Sequence, residues 1–330
     1  MKELKQFKTL VDLLTFFNSE QVCRDYLANI RWSGKPVCPY CKHDHCFKFT
    51  NGKVFKCGAC RKQFSVRVGT MFEDSKIPLT KWFAAIYLIT SHKKGISSLQ
   101  LHRDLGVTQK TAWFLNHRIR KSLGMNTSVK FTGVVEADET FIGGKEKNKY
   151  KSKRTENTQG RSTAKKTPIL GMIERGGELR AIKAVDTSGK SIQPFIISNV
   201  AFGASLNTDE WLGYNGLKTI YKHQYINHGG DEYVRGDVHT NTMEGAWSLL
   251  KRSIYGIYHS VSSKHLQAYV DESVFRYNTR GKSEDGRFDY MLSNCNTHLT
   301  YNQLIQKNDT SKNVITDNRF MEGQQGTLSF

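Results

Sequence analysis

Apolar positions first recur at helical spacing in MKELKQFKTLVDLLTFF, where Lys5, Lys8 and Asp12 interrupt the stretch and make it an amphipathic helix, the core of an N-terminal helical segment over 1–30. A stronger pattern covers LTKWFAAIYLITS, 79–91, whose longest apolar run, Trp82 to Ile89, is eight residues. That run is far below the ~20 residues that cross a bilayer, so it predicts a buried helix. The next stretch, SSLQLHRDLGVTQKTAWFLNHRIRKSLG, reads as a helix-turn-helix within 76–126. Leu99 and Leu105 pack its first helix, Gly106 permits the turn, and Thr108 caps a second helix that sends Ala112, Leu115 and Ile119 inward. Gln109, Lys110, Asn116, His117, Arg118 and Arg120 then face outward, where they reach phosphates or base edges in a major groove. A plain helical hairpin bridging two domains is the competing reading.

Beyond residue 129 the pattern changes to mixed α/β. VVEAD is a strand ending at Asp138, PILGMIE and LRAIKAV are two more, SIQPFIISNV is a helix, and ASLNTDE is a strand ending in acid. QYINH is a further strand, followed by the helices NTMEGAWSLLKRSIYGIY and KHLQAYVDESVFRYNTR. Three strands, a helix, then alternating elements ending in helices is the order of an RNase H-like domain, assigned to 129–285. Between its first two strands, 145–166 holds nine Lys and Arg against two Glu. Such an insertion is either a solvated loop or an arm that orders on a phosphate backbone. The remainder, 286–330, reads as a C-terminal tail, polar from Lys307 onward.

Charge narrows the function. Forty-nine Lys and Arg against thirty Asp and Glu in 330 residues leave +19, the balance of a protein that works beside a polyanion, nucleic acid first among them. No export signal is evident, so the expected compartment is cytoplasmic and reducing. Seven cysteines in such a place point to metal before disulfides.

Four of them are patterned. Cys38 and Cys41 in CPYC precede Cys57 and Cys60 in CGAC by fifteen residues, and each CxxC turn aims two thiolates at one point. Two such turns complete a tetrahedron around zinc, which defines a zinc ribbon over 31–72. Between them FKFT and KVFK flank Asn51-Gly52, a pair suited to a two-residue type I′ hairpin. His43, His45 and Cys46 are alternative ligands within the ribbon, whereas Cys23 and Cys295 have no partner motif and read as buried thiols. The ribbon binds either DNA or protein, with the charge favouring DNA.

Three acids are candidates for chemistry: Asp138 on the first strand, Asp209 after ASLNT, and Glu244 in the first turns of the penultimate helix. Hard carboxylate oxygens from separate elements are what a pair of divalent cations requires at a phosphodiester. Glu244 and Lys251 are seven residues apart, two helical turns, so they project along one face, while Met243, Trp247, Leu250 and Ile254 form an adjacent apolar stripe. Glu139 and Glu210, each beside a candidate acid, and Asp237 and His239 ahead of the helix, read as surface, loop or supporting groups.

The stretches CPYC…CGAC, VVEADETFIGGK, LNTDEWLGYNGL and HTNTMEGAWSLLKRSIYGIYH resemble bacterial insertion-sequence transposases of the DDE class, in the group with a zinc ribbon ahead of an ISXO-type domain. With KHLQAYVDESVFRYNTR, the resemblance spans about Arg31 to Arg280. It implies a multidomain α/β protein with zinc ribbon, helix-turn-helix and RNase H-like catalytic domain. It also implies zinc in the ribbon, and magnesium or manganese at Asp138, Asp209 and Glu244, with Lys251 as the basic residue of the signature. The partners it implies are double-stranded DNA at element ends and target, and a second copy of the chain on that DNA, in a nucleoid-associated setting. Asn241, three residues before Glu244, is the alternative third ligand, since some members carry Asn there. A regulator that has lost catalysis and an RNase H-like nuclease are the competing functions.

Overall fold

The structure is a computed structural model and describes residues 7–124, 129–144, 150, 152, 166–227, 230, 232 and 234–306. The chain forms two compact units, one from the residues up to 124 together with 279–307, the other from 125–278.

The first unit opens with α1 (Leu10–Phe16) and α2 (Glu20–Trp32), capped by the side chains of Thr9 and Ser19. A three-stranded antiparallel sheet follows, β1 (Cys46–Lys48), β2 (Val54–Cys57) and β3 (Gln63–Ser65). Then come α3 (Leu79–Ser91), α4 (Ser98–Leu105) and α5 (Gln109–Leu123). Helix α3 is buried on nearly every side, as its apolar run requires, and Phe83 joins Phe7, Phe17, Tyr26 and Phe288 in an aromatic cluster. Its N-terminus has no local side-chain cap; the Leu79 N–H donates to Glu20 Oε2 at 2.7 Å instead.

Four expectations are corrected here. The loop between β1 and β2 is not a two-residue type I′ turn: Phe49 N–H pairs with Val54 O, and within the loop only Gly52 has positive φ, at 66°. Leu99 is exposed, and Leu101 packs in its place beside Leu105. Asn116, His117, Arg118 and Arg120 are buried, not outward. Arg118 donates to Glu73 O at 2.6 Å and lies over the Phe114 ring, and the His117 ring rests 4.7 Å from Trp113. Periodicity alone does not tell a wet polar face from one whose long side chains are sequestered against backbone carbonyls and rings. Finally, 286–306 is not tail: α9 (Glu284–Ser293) and α10 (Tyr301–Ile305) belong to this unit, with Phe288, Met291 and Leu292 fully buried and Tyr26 Oη donating to Asp289 Oδ1 at 2.5 Å. Residues 307–330, and 145–166 apart from 150, 152 and 166, lie outside the described residues.

The second unit is built on a five-stranded sheet of β4 (Val134–Ile142), β5 (Thr167–Glu174), β6 (Leu179–Lys183), β7 (Ser205–Asp209) and β8 (Lys222–Ile226). Their order is β6-β5-β4-β7-β8, with β6, β5 and β4 antiparallel to one another in turn and β7 and β8 parallel to β4. Alternation along the strands gives two cores. Val135, Ala137, Leu170 and Met172 pack with α6 (Gly189–Asn199). Ile142, Ile169 and Ile173 pack with α7 (Asn241–Ser253) and α8 (Leu266–Asn278). Because both faces are covered, β5 reads as a nearly continuous apolar run, whereas β4 carries Glu136, Asp138 and Glu139 in the middle of the sheet. Strand β4 runs four residues past Asp138, which is therefore mid-strand and not at a strand end.

Candidate functional site

Parallel pairing of β4 with β7 ends at Glu136 and Asn207. Two residues further along each strand stand Asp138 and Asp209, at the same level on adjacent strands and beyond the last paired position. A cleft of about 710 Å³ opens there, lined by Asp138, Glu139, Asp209, Glu244 and Lys251 among others. Glu244 and Lys251 both come from α7, as their two-turn spacing requires. Asn241 is exposed at the first position of α7 and does not line the cleft, nor do Asp237, His239 or Glu210.

Helix α7 is held against the sheet by three contacts. Met243, Trp247, Leu250 and Ile254 form the apolar stripe and are buried. Trp247 lies so close to β5 that a Cβ on Gly171, the cross-strand partner of Asp138, would stand 2.5 Å from the indole. That proximity lets Trp247 Nε1 donate to Asp138 Oδ2 at 3.0 Å. The third contact is Glu136, two residues before Asp138 on the same face of β4 and wholly buried. Its carboxylate accepts from the N–H groups of Thr242 at 2.8 Å and Met243 at 3.1 Å, from Thr242 Oγ1 at 2.9 Å, and from Arg175 Nε at 2.6 Å. A strand carboxylate thus caps the helix that bears Glu244, where the helix dipole favours negative charge. Sequence reasoning missed this residue, because Glu136 looks like any acid in a strand and Thr240 offers a local N-cap that the fold does not use.

Glu139, read as a surface or supporting acid, stands beside Asp138 in the cleft lining. It is largely buried on the α6 side of β4, where Tyr214 Oη donates to its Oε2 at 2.8 Å. Burial, then the nearby charges of Asp209 and Glu244, pushes the Asp138 carboxyl up to about 7, against lowering hydrogen bonds from the Glu139 backbone and Trp247. Burial and Asp209 push Glu139 up to about 7 as well. Acids that raise one another in this way crowd carboxylate oxygens together, the kind of donor that suits a hard divalent cation.

In the ribbon the Cys38, Cys41, Cys57 and Cys60 sulfurs lie within 4.8 Å of one another. Cys38 to Cys60 measures 3.7 Å and Cys41 to Cys57 3.5 Å, close to the ~3.8 Å edge of a tetrahedron with Zn–S near 2.3 Å. Lys42 and Arg61, each following the second cysteine of its turn, take matching left-handed conformations with φ of 62°. Hydrogen bonds from the Cys60 and Ala59 N–H groups and the Cys41 thiol pull Cys57 down to about 6, toward the thiolate that binds metal. His43, His45 and Cys46 are not part of this set. Among the described residues no other group of three or more His, Cys, Asp or Glu has all its ligand atoms so close, and the three acids of the cleft are spread more widely. Among the same residues no helix is long and apolar enough to cross a membrane.

A thiolate ribbon followed by a carboxylate cleft defines the class, and comparison with known families agrees: a transposase zinc-ribbon domain matches residues 18–63 and an ISXO2-like transposase domain matches 130–278. A protein of the transposable element ISH50 of Halobacterium salinarum is 30% identical over 266 residues, 77% of this chain and 89% of that relative. The chain belongs to this family of insertion-sequence transposases, joining a transposase zinc ribbon to an ISXO2-like domain. The relative is archaeal, so membership does not fix a bacterial source. No solved structure matches the chain.

Proposed function

We propose that this transposase cuts DNA at the ends of its element and joins the freed ends to target DNA, through a DDE-type site at Asp138, Asp209 and Glu244. The observation that carries the reading is that these acids, from two strands and a helix, line one cleft together with Lys251. The sheet order, with three antiparallel strands followed by two parallel to the first, supports an RNase H-like assignment.

Asp138, Asp209 and Glu244 would hold magnesium or manganese, whose chemistry there is to neutralise phosphate charge and lower the pKa of water. The protein supplies position. Trp247 fixes one Asp138 oxygen by its indole N–H. Lys251 offers a long-reaching point charge to a phosphate beside the scissile bond. Water attacks phosphorus and the strand's 3′-oxygen leaves with a proton; the resulting 3′-hydroxyl then attacks a target phosphorus in line and displaces the 3′-oxygen there. Neither step needs a covalent protein intermediate. DNA is gripped through the basic first unit, where Gln109 and Lys110 at the start of α5 remain exposed for groove contacts. Joining two ends calls for two copies of the chain on the DNA.

Incubating purified protein with element-end duplex, target plasmid and magnesium tests this. Cleaved ends and joined products are expected from the wild type and neither from Asp138→Ala. Equal products from both would end the proposal, and cleavage without joining would leave a nuclease.

A further inference from the structure

The ribbon sheet has two unlike faces. Cys46 and Lys48 of β1, Phe55 and Cys57 of β2, and Phe64 of β3 share one face by alternation. There Phe55, Phe64 and the partly buried Trp32 pack together, and Lys48 Nζ pairs with Asp25 at 2.9 Å. The other face carries Phe47 and Phe49, which are 53% and 40% exposed. The core closes without them. The His45 ring lies 4.7 Å from that of Phe47, and the strand register sets Lys56 directly across from Phe47. At the nearby zinc turns Tyr40 is 50% exposed, with Lys62 Nζ 5.0 Å from its ring centre. From Lys35 to Arg67 there are eight Lys and Arg and a single acid, Asp44.

Single exposed apolar residues need no explanation, but two rings at alternate positions of one face, with an ammonium group directly across from the first, are a different surface. The charge selects a polyanion over a protein partner. A duplex backbone would be held by the cations alone, since phenyl rings give nothing to phosphate and cannot hydrogen-bond a base edge. Unpaired bases, whose flat faces are open, use both features.

We propose that this face of the ribbon binds unpaired DNA bases, with Phe47 and Phe49 as stacking surfaces and Lys56, across from Phe47, on a flanking phosphate. The inference rests on reading the chain as a DNA-processing transposase, because the ends of a cleaved duplex fray and expose such bases. Fluorescence anisotropy of full-length, zinc-replete protein with oligo-dT and with a duplex of equal length tests it at fixed salt. In the double variant Phe47→Ala, Phe49→Ala, oligo-dT affinity is expected to fall roughly fivefold or more, with duplex affinity within about twofold of wild type. Phe47→Trp should bind oligo-dT at least as well as wild type, and unchanged zinc content confirms an intact ribbon. Unchanged oligo-dT affinity, or an equal loss on both DNAs, would overturn the proposal. The assay needs no cleavage, so an inactive carboxylate site and a ribbon that does not stack bases give separable results.

Discussion

At Gly171 the missing side chain is what brings Trp247 against the sheet and its indole N–H to Asp138. Gly171→Ala would force the ring and α7 outward, an overpacking that costs about 1–3 kcal/mol. Urea unfolding should register that loss, and strand cleavage should fall by more than in a control such as Gly281→Ala, where a Cβ meets nothing within 4 Å and the backbone is not left-handed. Asp138 and Glu139 make a pH prediction. Each titrates at about 7 in the fold against roughly 4 in the unfolded chain, so between those values the folded state holds more protons and stability falls as pH rises. In buffer without added divalent cation, the melting temperature should drop from pH 5 to pH 7.5, and Asp138→Asn should flatten that slope. A melting temperature that rose across this range would contradict the burial and mutual repulsion on which the site depends. The proposed acids could be picked out because the two-turn step from Glu244 to Lys251 and the motifs around Asp138 and Asp209 mark them. Gly171 and Glu136 could not, since their roles exist only once strand and helix have met.

Helix α7 depends on a carboxylate from another element. Glu136→Gln keeps the volume but removes the charge that faces Arg175 and the helix N-terminus. Breaking a buried pair of this kind costs about 3–5 kcal/mol. Denaturant unfolding should show a loss of that order, and a change below about 1 kcal/mol would mean that the cap is immaterial. The strands and helices of the second unit were readable because apolar runs and turn residues are local. The polar residues of α5 were misread for the opposite reason. Arg118 is held by a Glu73 carbonyl 45 positions away and by aromatic faces, and no local pattern announces such partners. The return of 286–306 to the first unit was hidden likewise, since the partners of Phe288 lie near the N-terminus.

Over the whole molecule, a metal-stapled ribbon and a carboxylate cleft lie in different compact units. A short ribbon buries too little to fold alone, so bound zinc supplies much of its stability. Purified protein should carry about one zinc per chain. A strong chelator, or Cys38→Ser, should release it and lower one calorimetric transition while leaving a second, from the carboxylate unit, in place. Loss of both transitions together would show that the ribbon's stability is not separate. The charge of +19 further implies that duplex affinity falls steeply with salt.

The most direct test of the central claim is anomalous scattering from a crystal soaked in manganese. The expected result is density between Asp138, Asp209 and Glu244, lost in Asp138→Asn. Active protein whose manganese binds elsewhere, with none among these three carboxylates, would contradict it.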